Sequence, residues 1–494
     1  MWNLWVFGEK MPTKLIELAE KQIWLRWIFN RRISINALWA IYVLLNFCIY
    51  LNYSIGTPIC FDDCQGYIGL MGRPLNGEYV HILRRMFRAW FVPVFFSLFG
   101  KYSLASAMSI VLAQTVILYI SWIVFATVVA RQFEGRLSKV VFLILSLSVY
   151  GQHYFVLNAF LLSDSLALSS LLLFLSVCIG FGSLWESAGF GATTGVLLLT
   201  ALIASGSRDA NLLFIVLWGA YVLLRNYRHL KSWQNGVIVA GLLTICIFQY
   251  PHASKRHMVN MKNLMVGFVL PNPAVSSFFV RHGMPASLDG GATLKPQKWC
   301  SADIREMEQR LNRLEISDKQ LKQASRIYAW WLLAHPGYVM KQALADRECI
   351  LGQSVARERT SDALFTHPGD KVTTIQEGVV RLALSDYFGV SERLIAALSI
   401  SCLFLAIYPV RRSVYMPMCV FLVTSGLADA VSAYFSDLWE PGEMIRHALI
   451  GAVIFNVGFL VSAVSLVEFV RWRIPRTHDR STADPVALTL DHVR

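Results

Sequence analysis

Charge is what this sequence has least of. Only 16% of its 494 residues are Asp, Glu, Lys or Arg, against about 25% in ordinary soluble domains, while 55% are hydrophobic. That balance excludes an ordinary water-soluble core and makes the bilayer the expected solvent. Chemical signatures are missing too. The absence of a P-loop, a Rossmann glycine fingerprint, HExxH and GxSxG argues against a nucleotide-driven pump and a soluble-type hydrolase. His81 and His153 fit interfacial positions, and His252, His257, His282, His335 and His367 lack ligand spacing, so no histidine metal site is assigned. The formal charge of +13 is dispersed between apolar segments, so nucleic acid is not an expected partner. Residues 1–32 have neither the short apolar core nor the small-residue cleavage site of a secretory signal, so the first span is expected to enter as an uncleaved anchor behind Arg31 and Arg32.

Long apolar runs are abundant. They fall near 34–52, 104–129, 140–157, 160–181, 189–205, 211–224, 236–250, 393–410, 413–435 and 446–470. The expected fold is an all-α polytopic membrane protein of about ten transmembrane helices with a helical extracytoplasmic domain. The expected organisation is a cytoplasmic amphipathic segment at 1–33, a core of about seven spans at 34–250 with a first outer loop at 53–103, and a helical domain at 251–392. Three further spans follow at 393–470, and a basic cytoplasmic tail at 471–494. With both termini inside, the cytoplasmic segments hold six Lys/Arg in 1–33, three in 130–139, three in 225–235, Arg411 and Arg412, and five from Arg471 onward. The short opposite loops hold only Arg208 and Arg446, the asymmetry of the positive-inside rule.

The two long outward segments have patterns of their own. In HILRRMFRAWFVP, Arg84, Arg85 and Arg88 alternate with apolar residues until Pro93, as in an interfacial amphipathic helix. In 251–392, Ser301 is placed to cap one helix, and a second is expected from near Asp318 through AHPGYVMKQAL. Trp330 and Trp331 suit either a membrane-facing edge or a packed core. Cys60, Cys64, Cys300 and Cys349 all lie in these segments, which permits two disulfides of open connectivity, or free thiols.

Carboxylates supply the candidate chemistry. Asp62 and Asp63 follow the first span, and adjacent carboxylates repel, so one tends to keep a raised pKa or bind a cation. Such a group suits taking a proton from an acceptor hydroxyl that attacks an anomeric carbon while phosphate leaves. The alternative is a solvated acidic turn. Asp164, Arg208 and Asp209 sit at outer helix ends, where charges also serve as anchors. The last outer loop brings Glu440, Glu443, Arg446 and His447, and the arginine fork suits a departing phosphate.

Taken in order, these residues resemble the GT-C superfamily of polytopic glycosyltransferases. The resemblance rests on an inside N-terminus, Asp62-Asp63 with Tyr67 in the first outer loop, an interfacial helix at 79–92, Asp164 in the second outer loop and Arg446 near a late span. It implies GT-C-like topology and inverting transfer of a sugar from a polyprenyl-phosphate donor to a glycan, lipid or protein acceptor of the cell envelope. By the same resemblance Asp62 is the general base, Asp63 orients it or binds a cation, and Arg446 and Arg208 hold the donor phosphate. Tyr67, Asp164, Asp209, Glu443 and His447 then line the substrate. The family's metal-binding variants carry a paired acidic motif where this chain has a lone Asp164, so no cofactor is assigned and a divalent cation at Asp63 and Asp164 stays open. Membrane lipids are the other expected partners, and a bacterial inner membrane with the site facing the periplasm is the expected location. The competing readings are an O-antigen polymerase or ligase and a lipid-linked-sugar flippase.

Overall fold

A computed structural model describes residues 37, 39–45, 90–101, 103–146, 163–249, 261–285, 316–351, 389–407, 415–436 and 441–473, with side chains at 104, 163, 349, 441–447 and 470–473 outside that description. Two compact units divide the chain. In the first, Met1–Ser54, residues 39–45 form helix α1, where Trp39 packs edge-on against the buried Tyr42.

The second unit, Ile55–Arg494, contains no strand among its described residues. In chain order it holds α2 (Phe91–Ser97), α3 (Leu104–Gln132), α4 (136–146), α5 (Ser163–Ala188), α6 (Phe190–Ser207), α7 (Asn211–Asn226) and α8 (Ser232–Gln249). A π-helical turn at Met265–Val269 precedes four shorter helices, α9 (Pro273–Arg281), α10 (Asp318–Ala334), α11 (Pro336–Ala345) and α12 (Arg347–Leu351). The chain then runs through α13 (Val390–Ile407), α14 (Tyr415–Ser436) and α15 (Pro441–Arg473).

Among the described residues seven helices are long and apolar enough to cross a membrane: α3, α5, α6, α8, α13, α14 and the Ala448–Phe469 part of α15. The chain is therefore a multi-pass α-helical membrane protein. The ten apolar runs read from sequence exceed this number at 34–52, 140–157 and 211–224. Of the first two, the helical residues described are 37, 39–45 and 136–146. The third is α7, whose 16 residues rise only about 24 Å against a hydrocarbon core of roughly 30 Å.

Burial sorts these helices. On α5 Leu168, Leu171, Leu172, Phe174, Leu175 and Phe181 are all fully buried, which makes it the central helix. On α3 Met108, Leu112, Val116, Ile120 and Val124 recur every four residues as an exposed apolar stripe, the face a helix offers to lipid. α14 and α15 approach most closely. A Cβ at Gly451 would lie 2.5 Å from the Ala430 backbone nitrogen, and one at Gly458 2.8 Å from that of Val423. Small residues let the two backbones touch, as association in lipid favours.

Local chemistry sets the helix ends. Ser103 and Ser106 form a reciprocal capping box at the start of α3, and Ser317 with Gln320 forms another at the start of α10. Pro93, read from sequence as a breaker, sits in the first turn of α2, where its missing N–H costs nothing. The single helix expected from Asp318 through AHPGYVMKQAL is instead two, because Pro336 cannot continue α10 and starts α11.

α10 and α11 pack with residues 261–284 around Met265, Phe268, Phe279, Tyr328 and Trp331. Trp331 is a core residue there, whereas Trp330 is 59% exposed. Tyr328 donates to the Phe435 carbonyl (3.0 Å), and the Tyr434 hydroxyl bonds Gln342 and Asp346. These contacts fasten the small helical layer to the C-terminal end of α14.

Candidate functional site

The geometry at that end of the bundle follows from one turn. Gly189, with φ +82°, is a conformation glycine adopts without strain, and it folds α5 back onto α6. The start of α5 and the end of α6 therefore lie side by side. Arg208 leaves the α6 helix in an extended conformation, and its Nη1 donates to Asp164 Oδ1 at 3.1 Å. Both residues are buried, Arg208 at 7% and Asp164 at 2% exposure.

A third ionisable residue is buried within reach of that arginine's field. Asp429, on α14, is buried, interacts electrostatically with Arg208 and lays Oδ2 against Gly451, where a Cβ would be 3.0 Å away. The guanidinium thus pairs with Asp164 of α5, and its field reaches the buried Asp429 of α14. Asn211 supports it from α7. Its Nδ2 donates to the carbonyls of Ala167 (3.1 Å) and Ala204 (3.0 Å), locking the three helix ends together. The indole of Trp90 covers Gly206, where a Cβ would meet Cε2 at 2.5 Å, and Gln249 donates to Ser205 from the end of α8 (3.4 Å).

Of the residues singled out from sequence, Asp164 and Arg208 are brought into direct contact. Asp209 is half-buried and its Oδ1 accepts from the Ala210 backbone N–H, a bond internal to its own turn. Glu443, Arg446 and His447 lie on the first two turns of α15, with side chains outside the description. Asp62, Asp63, Tyr67 and the 79–89 part of the interfacial helix lie outside the described residues, as do Cys60, Cys64 and Cys300. Among the described residues no group of three His, Cys, Asp or Glu is placed to hold a metal. The Asp164 oxygen nearest Arg208 is already engaged by a cation.

Sequence reading missed Asp429 and Asn211, and read Trp90 only as an apolar residue of the interfacial helix. A signal for the first existed, because a carboxylate inside an apolar run is a functional candidate by default. Asn211 had no such signal, since an amide at a helix start reads as a cap.

No family model, curated protein or solved structure matches the chain. Fold and site together define a multi-pass α-helical membrane protein with a buried Asp164–Arg208 ion pair and a buried Asp429 within the field of that arginine.

Proposed function

We propose that this protein is a membrane-embedded glycosyltransferase of GT-C type that moves a sugar from a polyprenyl-phosphate donor to a cell-envelope acceptor, with inversion, on the extracytoplasmic face of a bacterial inner membrane. The supporting observation is the convergence of Asp164, Arg208 and Asp429 at the end of the bundle to which the helices of the 251–392 segment are fastened. Ionisable groups are expensive in hydrocarbon and are retained where they act.

The residues take the following roles. Asp62 accepts the proton of the acceptor hydroxyl as its oxygen bonds to the anomeric carbon. The bond from that carbon to the phosphate oxygen breaks on the opposite face, and the phosphate leaves with the electron pair. Asp63 orients Asp62 or binds a cation. Arg446 offers two parallel N–H groups to the departing phosphate. Arg208 is engaged by Asp164, so its first role here is to hold that carboxylate in place, and Tyr67, Asp209, Glu443 and His447 line the substrate.

The test is sugar transfer from polyprenyl-phosphate sugar by the purified full chain in proteoliposomes. Asp62→Asn is expected to abolish transfer while insertion and monodispersity match the parent, and full activity in that variant sinks the reading. A polymerase or ligase would instead lose activity with Arg446→Ala and keep it with Asp62→Asn. A flippase would translocate labelled lipid without forming product.

A further inference from the structure

Helix α11 lacks the support that a short helix needs in water. It has 10 residues, mostly apolar in PGYVMKQALA, and none of them is buried. Helices shorter than about 12–15 residues are marginal in water unless one face is packed away. The inner side of α11, at Tyr338, Val339, Gln342 and Ala343, is only half-buried. Its outer side carries Met340 and Leu344, both exposed. The last turns of α10, joined to α11 at His335, expose Trp330 and Leu333 as well, the latter to 74%.

Hydrogen bonds fix the depth of these side chains. The span of α14, Tyr415–Ser436, has 22 residues and rises about 33 Å. That matches the roughly 30 Å of hydrocarbon in a bilayer, so the last turn of α14 lies where hydrocarbon meets head groups. Tyr434 and Phe435 belong to that turn. Gln342 and Asp346 both bond the Tyr434 hydroxyl, and Leu344 stands between them on α11. The Phe435 carbonyl accepts from Tyr328 (3.0 Å), and Trp330 follows Tyr328 by two residues on α10. The exposed apolar side chains of both helices are thus held at the level of the interface, where tryptophan concentrates.

Charge selects the lipid. Lys319, Lys322, Arg326, Trp330 and Leu333 recur at three- and four-residue steps and share one face of α10. Lys341 adjoins Met340 on α11. All four cations are exposed, and Asp318 is the exposed acid among the described residues of the two helices. A face that is basic toward one end and apolar toward the other suits anionic head groups beside acyl chains. A second copy of this chain offers only Asp318 on this surface to pair with the cations.

We infer that the corner formed by α10 and α11 is an interfacial docking element for anionic lipid. Trp330, Leu333, Met340 and Leu344 enter the acyl boundary of the leaflet at that end of the bundle, and Lys322, Arg326 and Lys341 draw anionic head groups to it. The surface is separate from the Asp164–Arg208 pair. It stands independently of the transfer reaction, since it is read without any sugar.

The full chain, with photoreactive p-benzoylphenylalanine in place of Leu333, Met340 or Leu344, is placed in nanodiscs of equimolar phosphatidylglycerol and phosphatidylcholine. After irradiation the adducts are identified by mass spectrometry. The same probe in place of Val116, on the exposed stripe of α3, supplies a lipid-facing reference. Lipid adducts are expected at all three positions with yields comparable to the reference. Phosphatidylglycerol is expected to be enriched roughly threefold or more over its share at the reference. Lys322→Glu combined with Arg326→Glu reverses the local balance of charge at two exposed positions, and is expected to return the lipid ratio to the reference value while the adducts persist. Absence of lipid adducts at the three positions, while the reference reacts, puts the surface in water and overturns the inference. A covalent dimer in their place assigns the surface to a second copy and overturns it too. Lipid adducts without enrichment, or an enrichment that survives the double variant, overturn the selection of anionic lipid.

Discussion

Arg208 and Asp164 lie 44 positions apart in sequence and meet at 3.1 Å, with side chains 8% and 3% exposed. The Gly189 turn brings them together, and the field of the same guanidinium reaches the buried Asp429.

Removal of the cation is therefore worse than removal of either anion. Arg208→Met takes the cation from the buried Asp164 carboxylate and its field from Asp429, and is expected to cost about 3–5 kcal/mol. Asp164→Asn keeps Asp429 beside the guanidinium and is expected to cost about 1–3 kcal/mol. Unfolding in detergent, followed by circular dichroism for both variants, gives the ordering. Equal losses would mean that Asp429 takes no part.

The contact between α14 and α15 predicts a second ordering. Gly451→Ala is expected to destabilise by about 1–3 kcal/mol or more, because its Cβ would meet the Ala430 backbone rather than a movable side chain. Gly195→Ala on α6 has nothing within 4 Å and is expected to be neutral or stabilising by up to about 1 kcal/mol. A pulse-proteolysis or thermal series on the two variants distinguishes them.

Alkaline pH is expected to weaken the small helical layer. Burial pushes the hydroxyl of Tyr328 well above its ordinary 10.0, and burial together with nearby Asp346 raises Tyr338. Above about pH 10 the unfolded tyrosines lose protons that the folded ones keep, so the unfolded state binds fewer protons and stability falls as pH rises. The contribution is complete below that pH and disappears as pH climbs through the raised folded values. Tyr328→Phe is expected to flatten this alkaline limb. At neutral pH it should cost about 0.5–1.5 kcal/mol through the lost bond to the Phe435 carbonyl. Unfolding midpoints between pH 8 and about 11 supply the measurement. A limb unchanged by the substitution would refute the assignment.

Orientation is accessible to labelling. Ser187 and Asp209 flank opposite ends of α6, whose 18 residues rise about 27 Å. Asp209→Cys is expected to react with a membrane-impermeant maleimide in intact cells, and Ser187→Cys only after permeabilisation. The reverse pattern would place the charged cluster on the cytoplasmic face and remove the support for transfer outside.

Much of the scaffold was legible in the amino-acid order. The apolar runs read at 236–250, 393–410, 413–435 and 446–470 correspond to α8, α13, α14 and α15 with shifts of a few residues at their ends. The loop placed at 182–188 is helical, and the turn contracts to Gly189, because nothing in SLWESA stops a helix. The break at His335–Pro336 was present in the sequence as an X-Pro step. Asp164 and Arg208 were legible as candidates, but not as partners.

Sequence by itself determined that this chain lives in a bilayer, roughly where its helices run and which ends carry charge, because hydropathy and capping are properties of neighbours along the chain. Only the tertiary structure decided which charges meet. Asp429 beside Arg208, and Arg393 against Asn456, join residues 221 and 63 positions apart. An isolated polar residue in an apolar helix carries no local mark of the helix that will face it. The packing of α13, α14 and α15 supplies that mark, by the close approach that Gly426, Gly451 and Gly458 allow.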